Sequence, residues 1–211
     1  MDGPHLIYFS DPMCSWCYGF STVIAAVRKA FGPALPIRTV MGGLRPGTEE
    51  PITPEARATI TSHWKHVREA TDLPFDERVL AEGFVYDTDP AARAVVVARR
   101  EDPEIALTYL LRAQQAFYAQ ARDVTKGDVL ADLAEEVGLD RVDFIAQWES
   151  EAARQETWRD YAISQRAGVT GFPTLVAGPN EEGVFGVVTR GYAPPEQVVA
   201  VLKDWIDRIA A

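Results

Sequence analysis

The chain contains two cysteines, Cys14 and Cys17, which lie three positions apart near the N-terminus. Thiol–disulfide exchange requires an attacking thiolate and a second thiol close enough to release the mixed disulfide, and this spacing supplies both sulfurs. A structural zinc site would need two further ligands, and a disulfide closing so small a loop would add little stability to a chain of 211 residues. The spacing therefore predicts a redox pair.

The residues around the cysteines predict elements that place the pair at a helix start. A short apolar run at 6–9 is typical of a buried strand, and residues 10–12 are typical of a turn. Apolar residues at three- and four-residue steps then predict a helix from about 14 to 31. On its first turn, unpaired N–H groups and the helix dipole favour a negative sulfur. Cys14 is the expected nucleophile and Cys17 the resolving thiol.

Further strands are expected at both ends of the chain. A second strand at 37–41 would pair in parallel with the first through a right-handed crossover. Apolar runs at 174–177 and 184–189, separated by a turn, predict a hairpin. Residues 194–211 place apolar side chains on one face and predict a terminal helix that begins at a proline.

The middle of the chain is expected to be helical throughout. Helix starts, each a polar cap followed by proline, occur at Thr53-Pro54, Asp89-Pro90 and Asp102-Pro103. Because strand patterns lie on both sides of these helices, we expect an α/β fold with a helical insertion. The predicted domain is discontinuous, at 1–50 and 151–211, and the insertion covers 51–150.

Composition and charge exclude several function classes. An apolar content of 47% and a charged content of 25% are typical of a folded domain. A net charge of −10 argues against binding to nucleic acid or to an anionic membrane. The apolar run at 6–9 is too short for a signal peptide or a membrane span, so a cytoplasmic location is expected. In that reducing compartment the pair would rest as a dithiol that reduces or rearranges disulfides.

Two distant segments carry a resemblance to a known family. The features concerned are the motif Cys14-Ser15-Trp16-Cys17 at a helix start, the helical insertion, and Gly171-Phe172-Pro173-Thr174 before a hairpin. In these three features the chain resembles the DsbA-like branch of the thioredoxin superfamily. More narrowly, DPMCSWCYG at 11–19 and MGGL at 41–44 are similar to FrnE-like cytosolic members. The resemblance implies a thioredoxin-like fold with a helical insertion, a cis Phe172–Pro173 bond packed against the cysteines, and a thiol–disulfide oxidoreductase or isomerase activity.

The resemblance also implies where substrate docks. Beside a cis proline, Thr170, Gly171 and Phe172 would present backbone groups to an extended peptide, and Pro173 has no N–H to donate. Trp16 would lie next to the nucleophile, either as an exposed contact for substrate or as a partly buried shield of the disulfide. The substrates implied are protein or small-molecule thiols and disulfides.

No bound cofactor or metal is expected at this site. The histidines of the chain are His5, His63 and His66, and the two predicted on a helix would have to reach across to the cysteines to form a metal site. Glutathione or another external thiol would reset the pair. Residues 41–44 are expected to form a loop over the site. An apolar face of the insertion could serve a homodimer or a client protein, and both stay open.

The motif departs from that of DsbA itself. DsbA has a proline and a histidine between its cysteines, whereas this chain has Ser15 and Trp16, neither of which is cationic. Asp11, three residues before Cys14, is expected to be a turn or cap residue. Because a less stabilised thiolate makes a weaker oxidant, we expect this pair to be less oxidising than that of DsbA.

Two other functions remain open at this point. A glutathione-dependent isomerase or transferase of the kappa type shares the fold and the insertion, but that group uses a serine at the nucleophile position, where this chain has Cys14. A holdase or other client-binding module is the second alternative, in which the thiols of Cys14 and Cys17 would be incidental.

Overall fold

The computed structural model describes residues 3–180 and 182–209. Within them the strands are β1 (His5–Ser10), β2 (Ile37–Met41), β3 (Thr174–Gly178) and β4 (Gly186–Arg190). The helices are α1 (Ser15–Gly19), α2 (Ser21–Phe31), α3 (Pro54–Thr71), α4 (Asp89–Glu101), α5 (Pro103–Gln120), α6 (Gly127–Glu136), α7 (Arg141–Glu149), α8 (Glu151–Arg166) and α9 (Pro195–Ile209). Short 3-10 turns lie at Gly32–Ala34 and Glu77–Val79.

The strands form one mixed sheet in the order β2-β1-β3-β4. β1 and β2 are parallel, and β3 pairs antiparallel with both β1 and β4, so the predicted crossover and hairpin are confirmed. β1 lies inside the sheet, where Leu6 and Tyr8 have no exposed surface. The α/β fold class is therefore confirmed, and the C-terminal end of β1 leads directly to the cysteines.

The prediction of a single helix at 14–31 is wrong, because α1 and α2 meet at Phe20. Phe20 keeps right-handed helical torsion angles (φ −71°, ψ −9°), and its N–H bonds to the carbonyl of Trp16. The interruption follows Gly19, a residue type with low helix propensity. A Cβ added to Gly19 would come within 2.9 Å of Val67 on α3, so glycine lets α1 pack closely on the insertion.

Helices α3–α7 occupy the chain between β2 and α8. The helices α3 and α5 begin after the predicted caps Thr53 and Asp102, whose side chains accept N–H groups of the first turn. The start of α4 differs, since Thr88 and not Asp89 is its N-cap residue. Side chains of these helices share one hydrophobic core with the sheet, so the proposed division into a domain and an insertion stays a prediction.

The predicted terminal helix is present as α9, which packs on α2. The last two residues of the prediction, 210 and 211, lie outside the described residues. Within the described ranges, every helix is too short or too polar to cross a membrane.

Candidate active site

Cys14 is the N-cap residue of α1 and lies where the turn after β1 ends. Its N–H bonds to the Asp11 carbonyl at 3.1 Å, and its carbonyl accepts the Tyr18 N–H at 3.0 Å. The residue is 7% exposed. Its Sγ lies 3.6 Å from the carbonyl oxygen of Phe172, to which the thiol donates. The nucleophile expected from the sequence therefore lies at a helix start and beside the loop that precedes Pro173.

Cys17 lies within α1 and is completely buried. Its carbonyl accepts a hydrogen bond from the Tyr8 hydroxyl at 3.4 Å. Burial raises the pKa of the Cys17 thiol well above its usual range, and the neighbouring Cys14 sulfur raises it further. Both thiols are free. Cys14 therefore keeps a small exposed surface, whereas Cys17 is enclosed by protein.

The peptide bond between Phe172 and Pro173 is cis, as the resemblance implied. Pro173 is buried, Phe172 is half-buried, and Thr170 and Gly171 are exposed. A second cis bond joins Gly178 to Pro179. It was not predicted, because a glycine–proline pair in a turn is compatible with either isomer.

The glycine segment, residues 41–44, packs on the loop before Pro173. A Cβ added to Gly42 would lie 2.1 Å from a ring atom of Phe172, and one added to Gly43 would lie 2.9 Å from the ring of Tyr161. Gly43 also has a φ of +72°, which favours glycine. The paired glycines therefore let the backbone lie directly against Phe172, as the expected loop over the site requires.

Asp11 connects the glycine segment to the cysteine turn, the turn at residues 11–14 that ends at Cys14. Its fully buried carboxylate accepts the N–H of Met13 at 2.9 Å and the N–H of Leu44 at 2.8 Å. Burial raises the pKa of this carboxyl group to about 6, although both N–H bonds oppose the change. The turn role predicted for Asp11 is confirmed. The bond to Leu44 was not predicted, because no local sequence pattern reports a contact between residues so far apart.

A cleft of about 450 Å³ opens at the Cys14 side chain. The predicted site residues that line it are Cys14, Trp16, Thr170, Gly171 and Phe172, whereas Cys17 and Pro173 lie behind its wall. Leu44, from the loop predicted at 41–44, also lines the cleft, whereas the sequence analysis missed the part of the wall formed by Arg45, Ile60, His63, Trp64 and Tyr86. No motif marks these residues, because Ile60, His63 and Trp64 join the site only when α3 packs on α1, and Arg45 meets Tyr86 only through a contact between distant segments.

Trp16 combines the two alternatives that the sequence left open. Its side chain is half-buried, and its ring packs on Tyr192 with centroids 5.7 Å apart. It also lines the cleft that contains Cys14. A substrate at Cys14 would therefore meet part of the indole surface.

A second cleft of about 570 Å³ shares the loop at 170–172 with the first. Its other walls are the sheet and the end of α8, and they are mainly apolar. Val187 and Phe185 in this cleft are 52% and 40% exposed. The loop before Pro173 thus lies between a cleft that contains a cysteine and one that does not.

The histidines do not converge on the cysteines. His63 lines the Cys14 cleft, whereas His66 is exposed outside it, and the His5 ring packs against Phe185 with centroids 5.3 Å apart. Among residues 3–180 and 182–209, no group of three or more His, Cys, Asp or Glu side chains is placed to hold a metal ion.

Three features together define the thioredoxin-fold class. They are a mixed sheet with a β–α–β start, a cysteine pair at the first helix, and a cis proline beside that pair. The sequence profile of the DSBA-like thioredoxin domain matches residues 5–193. Because this match covers most of the chain, the chain belongs to the DSBA-like thioredoxin family, as the resemblance implied. The narrower similarity to FrnE-like members stays a prediction.

Solved structures and curated relatives resemble the chain along its length. A Nitrosomonas europaea protein, provisionally described as a protein disulfide isomerase, is 35% identical, with 98% of this chain and 99% of that chain covered and a TM-score of 0.89. The cytosolic disulfide reductase DsbM from Pseudomonas aeruginosa is 27% identical, with coverages of 97% and 99% and a TM-score of 0.79. DsbM has also been solved with GSH. The ClpXP adapter protein SpxH of Halalkalibacterium halodurans is 22% identical, and the match covers 94% of this chain and 66% of that relative's length.

Proposed function

We propose that this chain is a thiol–disulfide oxidoreductase that reduces or rearranges disulfides through Cys14 and Cys17. The observation that carries the proposal is the unequal placement of the sulfurs: Cys14 is 7% exposed with its Sγ 3.6 Å from the Phe172 carbonyl, whereas Cys17 is fully buried. An attacking sulfur must meet its substrate, but a resolving sulfur needs to meet only the mixed disulfide. This contrast supports Cys14 as the nucleophile and Cys17 as the resolving thiol.

The proposed reaction has two exchange steps. The Cys14 thiolate attacks one sulfur of a substrate disulfide, and the other sulfur leaves as a thiolate. Cys17 then loses its proton and attacks the Cys14 Sγ, so that the substrate sulfur leaves and a Cys14–Cys17 disulfide forms. The substrate gains two electrons and the protein loses two. Two molecules of glutathione or another thiol return the protein to the dithiol and become a disulfide.

The loop before Pro173 is the proposed docking element for substrate. The exposed backbone of Thr170 and Gly171 and the half-buried Phe172 can pair with an extended peptide, and Trp16 adds an apolar contact. The proposed substrates are protein or small-molecule thiols and disulfides. The similarity to DsbM supports reduction as the direction, glutathione as an exchange partner and a cytosolic location. Neither a bound cofactor nor a metal has a part in the proposal.

Trapping of the mixed disulfide tests this function. The Cys17→Ser variant should retain a thiol partner on Cys14, which mass spectrometry identifies, because the resolving step is blocked. The Cys14→Ser variant is the matched control and should trap nothing and lose disulfide exchange. Two slowly alkylated thiols that never join under mild oxidant would falsify the proposal.

The same variants separate the other functions. Full turnover of a small glutathione adduct by Cys17→Ser would favour a kappa-type enzyme, because that chemistry needs no resolving thiol. Suppression of client aggregation that is unchanged in Cys14→Ser, together with no exchange activity in the wild type, would favour a holdase.

A further inference from the structure

Arg45 brings a positive charge to the wall of the Cys14 cleft, and no carboxylate of the described residues pairs with it. The residue is exposed and follows the glycine segment. Within residues 3–180 and 182–209, every ion pair is formed by other side chains. The net charge of the chain is −10, so a cation left unpaired beside a reactive sulfur is available to an anionic ligand.

The position of this cation is fixed relative to the sulfur. The Arg45 N–H donates to the Thr88 hydroxyl at 3.1 Å, and the Arg45 carbonyl accepts the Thr88 N–H at 3.2 Å. Its guanidinium lies over the ring of Tyr86, 5.2 Å from the centroid. The Tyr86 hydroxyl donates to the carbonyl of Met13, the residue before Cys14, at 2.7 Å. Arg45 is therefore held in the same set of contacts that holds the cysteine turn.

The acidic residues near Arg45 have other partners. Asp87 accepts the N–H of Gly47 at 2.8 Å and the N–H of Asp89 at 3.0 Å. Asp11 is buried and accepts the N–H groups of Met13 and Leu44. These carboxylates lower the local potential, but neither occupies the donors of the guanidinium.

We infer that Arg45, together with His63 on the same cleft wall, binds a carboxylate of the molecule that exchanges at Cys14. The inference rests on the proposed function and assigns its substrate class: a small anionic thiol or disulfide of the glutathione type. A guanidinium can donate two parallel hydrogen bonds to a carboxylate, and an imidazole can donate one. The cleft of about 450 Å³ lies within the usual size range of small-ligand sites.

Single-turnover oxidation of the reduced protein tests the role of Arg45. The second-order rate constants for glutathione disulfide and for the neutral bis(2-hydroxyethyl) disulfide are measured by alkylation of the remaining thiols. For Arg45→Gln, we expect the ratio of the anionic to the neutral rate constant to fall about five- to tenfold, as for loss of one partly exposed ion pair. Arg45→Lys should keep part of the ratio, because it retains the charge but not the planar fork.

Arg159→Gln is the matched control, because Arg159 is an exposed arginine outside the cleft. It should leave the ratio unchanged although the net charge changes equally. A ratio that moves less than twofold in Arg45→Gln, or that moves equally in both variants, overturns the inference and leaves the proposed function standing. A wild-type protein that reacts with neither disulfide overturns the proposed function itself.

Binding of S-methylglutathione provides a readout without exchange. This analogue has the carboxylates of glutathione but no free thiol, so calorimetry reports only recognition. We expect its dissociation constant to rise about five- to tenfold in Arg45→Gln and to stay constant in Arg159→Gln. Equal affinities in wild type and Arg45→Gln would contradict the assignment, whatever the exchange rates show.

Discussion

Two buried carboxylates hold the opposite ends of the glycine segment in different ways. At the β2 end, Asp160 of α8 accepts the Met41 N–H at 2.9 Å and pairs with Arg99 at 2.6 Å. At the cysteine end, Asp11 accepts the Leu44 N–H at 2.8 Å. Within the described part of the chain, Asp11 forms no ion pair, and its carboxylate accepts the N–H groups of Met13 and Leu44.

The difference shows that buried carboxylates can hold the two ends of one short segment in unlike environments, one with an ion pair and one with N–H donors. The charge of Arg99 offsets the cost of burying Asp160, so the β2 end depends on an ion pair. Burial without such a cation raises the pKa of Asp11 to about 6. The charge of Asp11, at the end next to Cys14, therefore changes near pH 6.

Removal of the ion pair at the β2 end should have the largest effect on stability. The side chains of Arg99 and Asp160 are 13% and 6% exposed, so Asp160→Ala removes the shorter ion pair of a nearly buried guanidinium and leaves the Met41 N–H without its acceptor. We expect the free energy of unfolding to fall by about 3–5 kcal/mol, measured by urea titration at pH 7.

Glu156→Ala provides the comparison for that loss. Glu156 contacts Arg99 at 3.3 Å and Arg100 at 2.9 Å, but its side chain is 31% exposed. We expect the loss to stay below about 1 kcal/mol, as for exposed ion pairs. If Asp160→Ala and Glu156→Ala lowered the free energy of unfolding by similar amounts, the greater burial of Asp160 would not make its contact with Arg99 the stronger one.

The titration of Asp11 should produce the next largest effect. A carboxyl group whose pKa is higher in the folded chain than in the unfolded chain stabilises the fold at low pH, and this contribution is lost as the pH rises through the folded value. For Asp11 the pKa rises from 3.8 to about 6, which corresponds to about 3 kcal/mol at most. Wild type should therefore lose stability relative to Asp11→Asn between about pH 4 and pH 6, the unfolded and folded pKa values of the group.

The difference in unfolding free energy between the two proteins isolates this group, because other titrating side chains are common to both. Subtracting the wild-type value from the Asp11→Asn value at each pH should give a curve that rises by up to about 3 kcal/mol, with a midpoint near pH 5, half-way between the ordinary pKa and the folded pKa. A flat curve would show that the pKa of the Asp11 carboxyl group has its ordinary value in the folded chain, and a falling curve would show that folding lowers it; either result contradicts the prediction.

The sequence predicted those parts of the site that depend on residues close together in the chain. The spacing of Cys14 and Cys17 and the apolar period after them predicted a thiol pair at a helix start. The cis bond before Pro173 was predicted only through the resemblance, because proline before a strand is compatible with both isomers. The parallel pairing of β1 and β2 followed from the order of the elements.

The parts that were missed depend on contacts between distant segments. Asp11 meets Leu44, and Arg45 meets Tyr86, only after β2 and the insertion have packed around the cysteine turn. The interruption at Phe20 likewise reflects the close approach of α1 to α3, which overrides a continuous helical period. Hydrophobic periodicity reports which face is buried but not which residues meet there.

The middle of the glycine segment can be tested apart from its two ends. Gly42 has an N–H that donates to the Ser10 carbonyl at 2.8 Å, and a Cβ added to it would overlap the Phe172 ring at 2.1 Å. Gly42→Ala must therefore displace Phe172, whose carbonyl accepts the hydrogen bond from the Cys14 thiol.

We expect Gly42→Ala to lower the free energy of unfolding by about 1–3 kcal/mol, the usual cost of overpacking. The rate constant for exchange with a neutral disulfide should fall about tenfold, because the loop beside the nucleophile moves. Gly186→Ala on β4 is the matched control, since an added Cβ there meets no atom within 4 Å. If Gly42→Ala lost stability but kept the exchange rate of Gly186→Ala, the Phe172 carbonyl would have no part in positioning Cys14. The glycine segment would then serve only to join the two buried carboxylates.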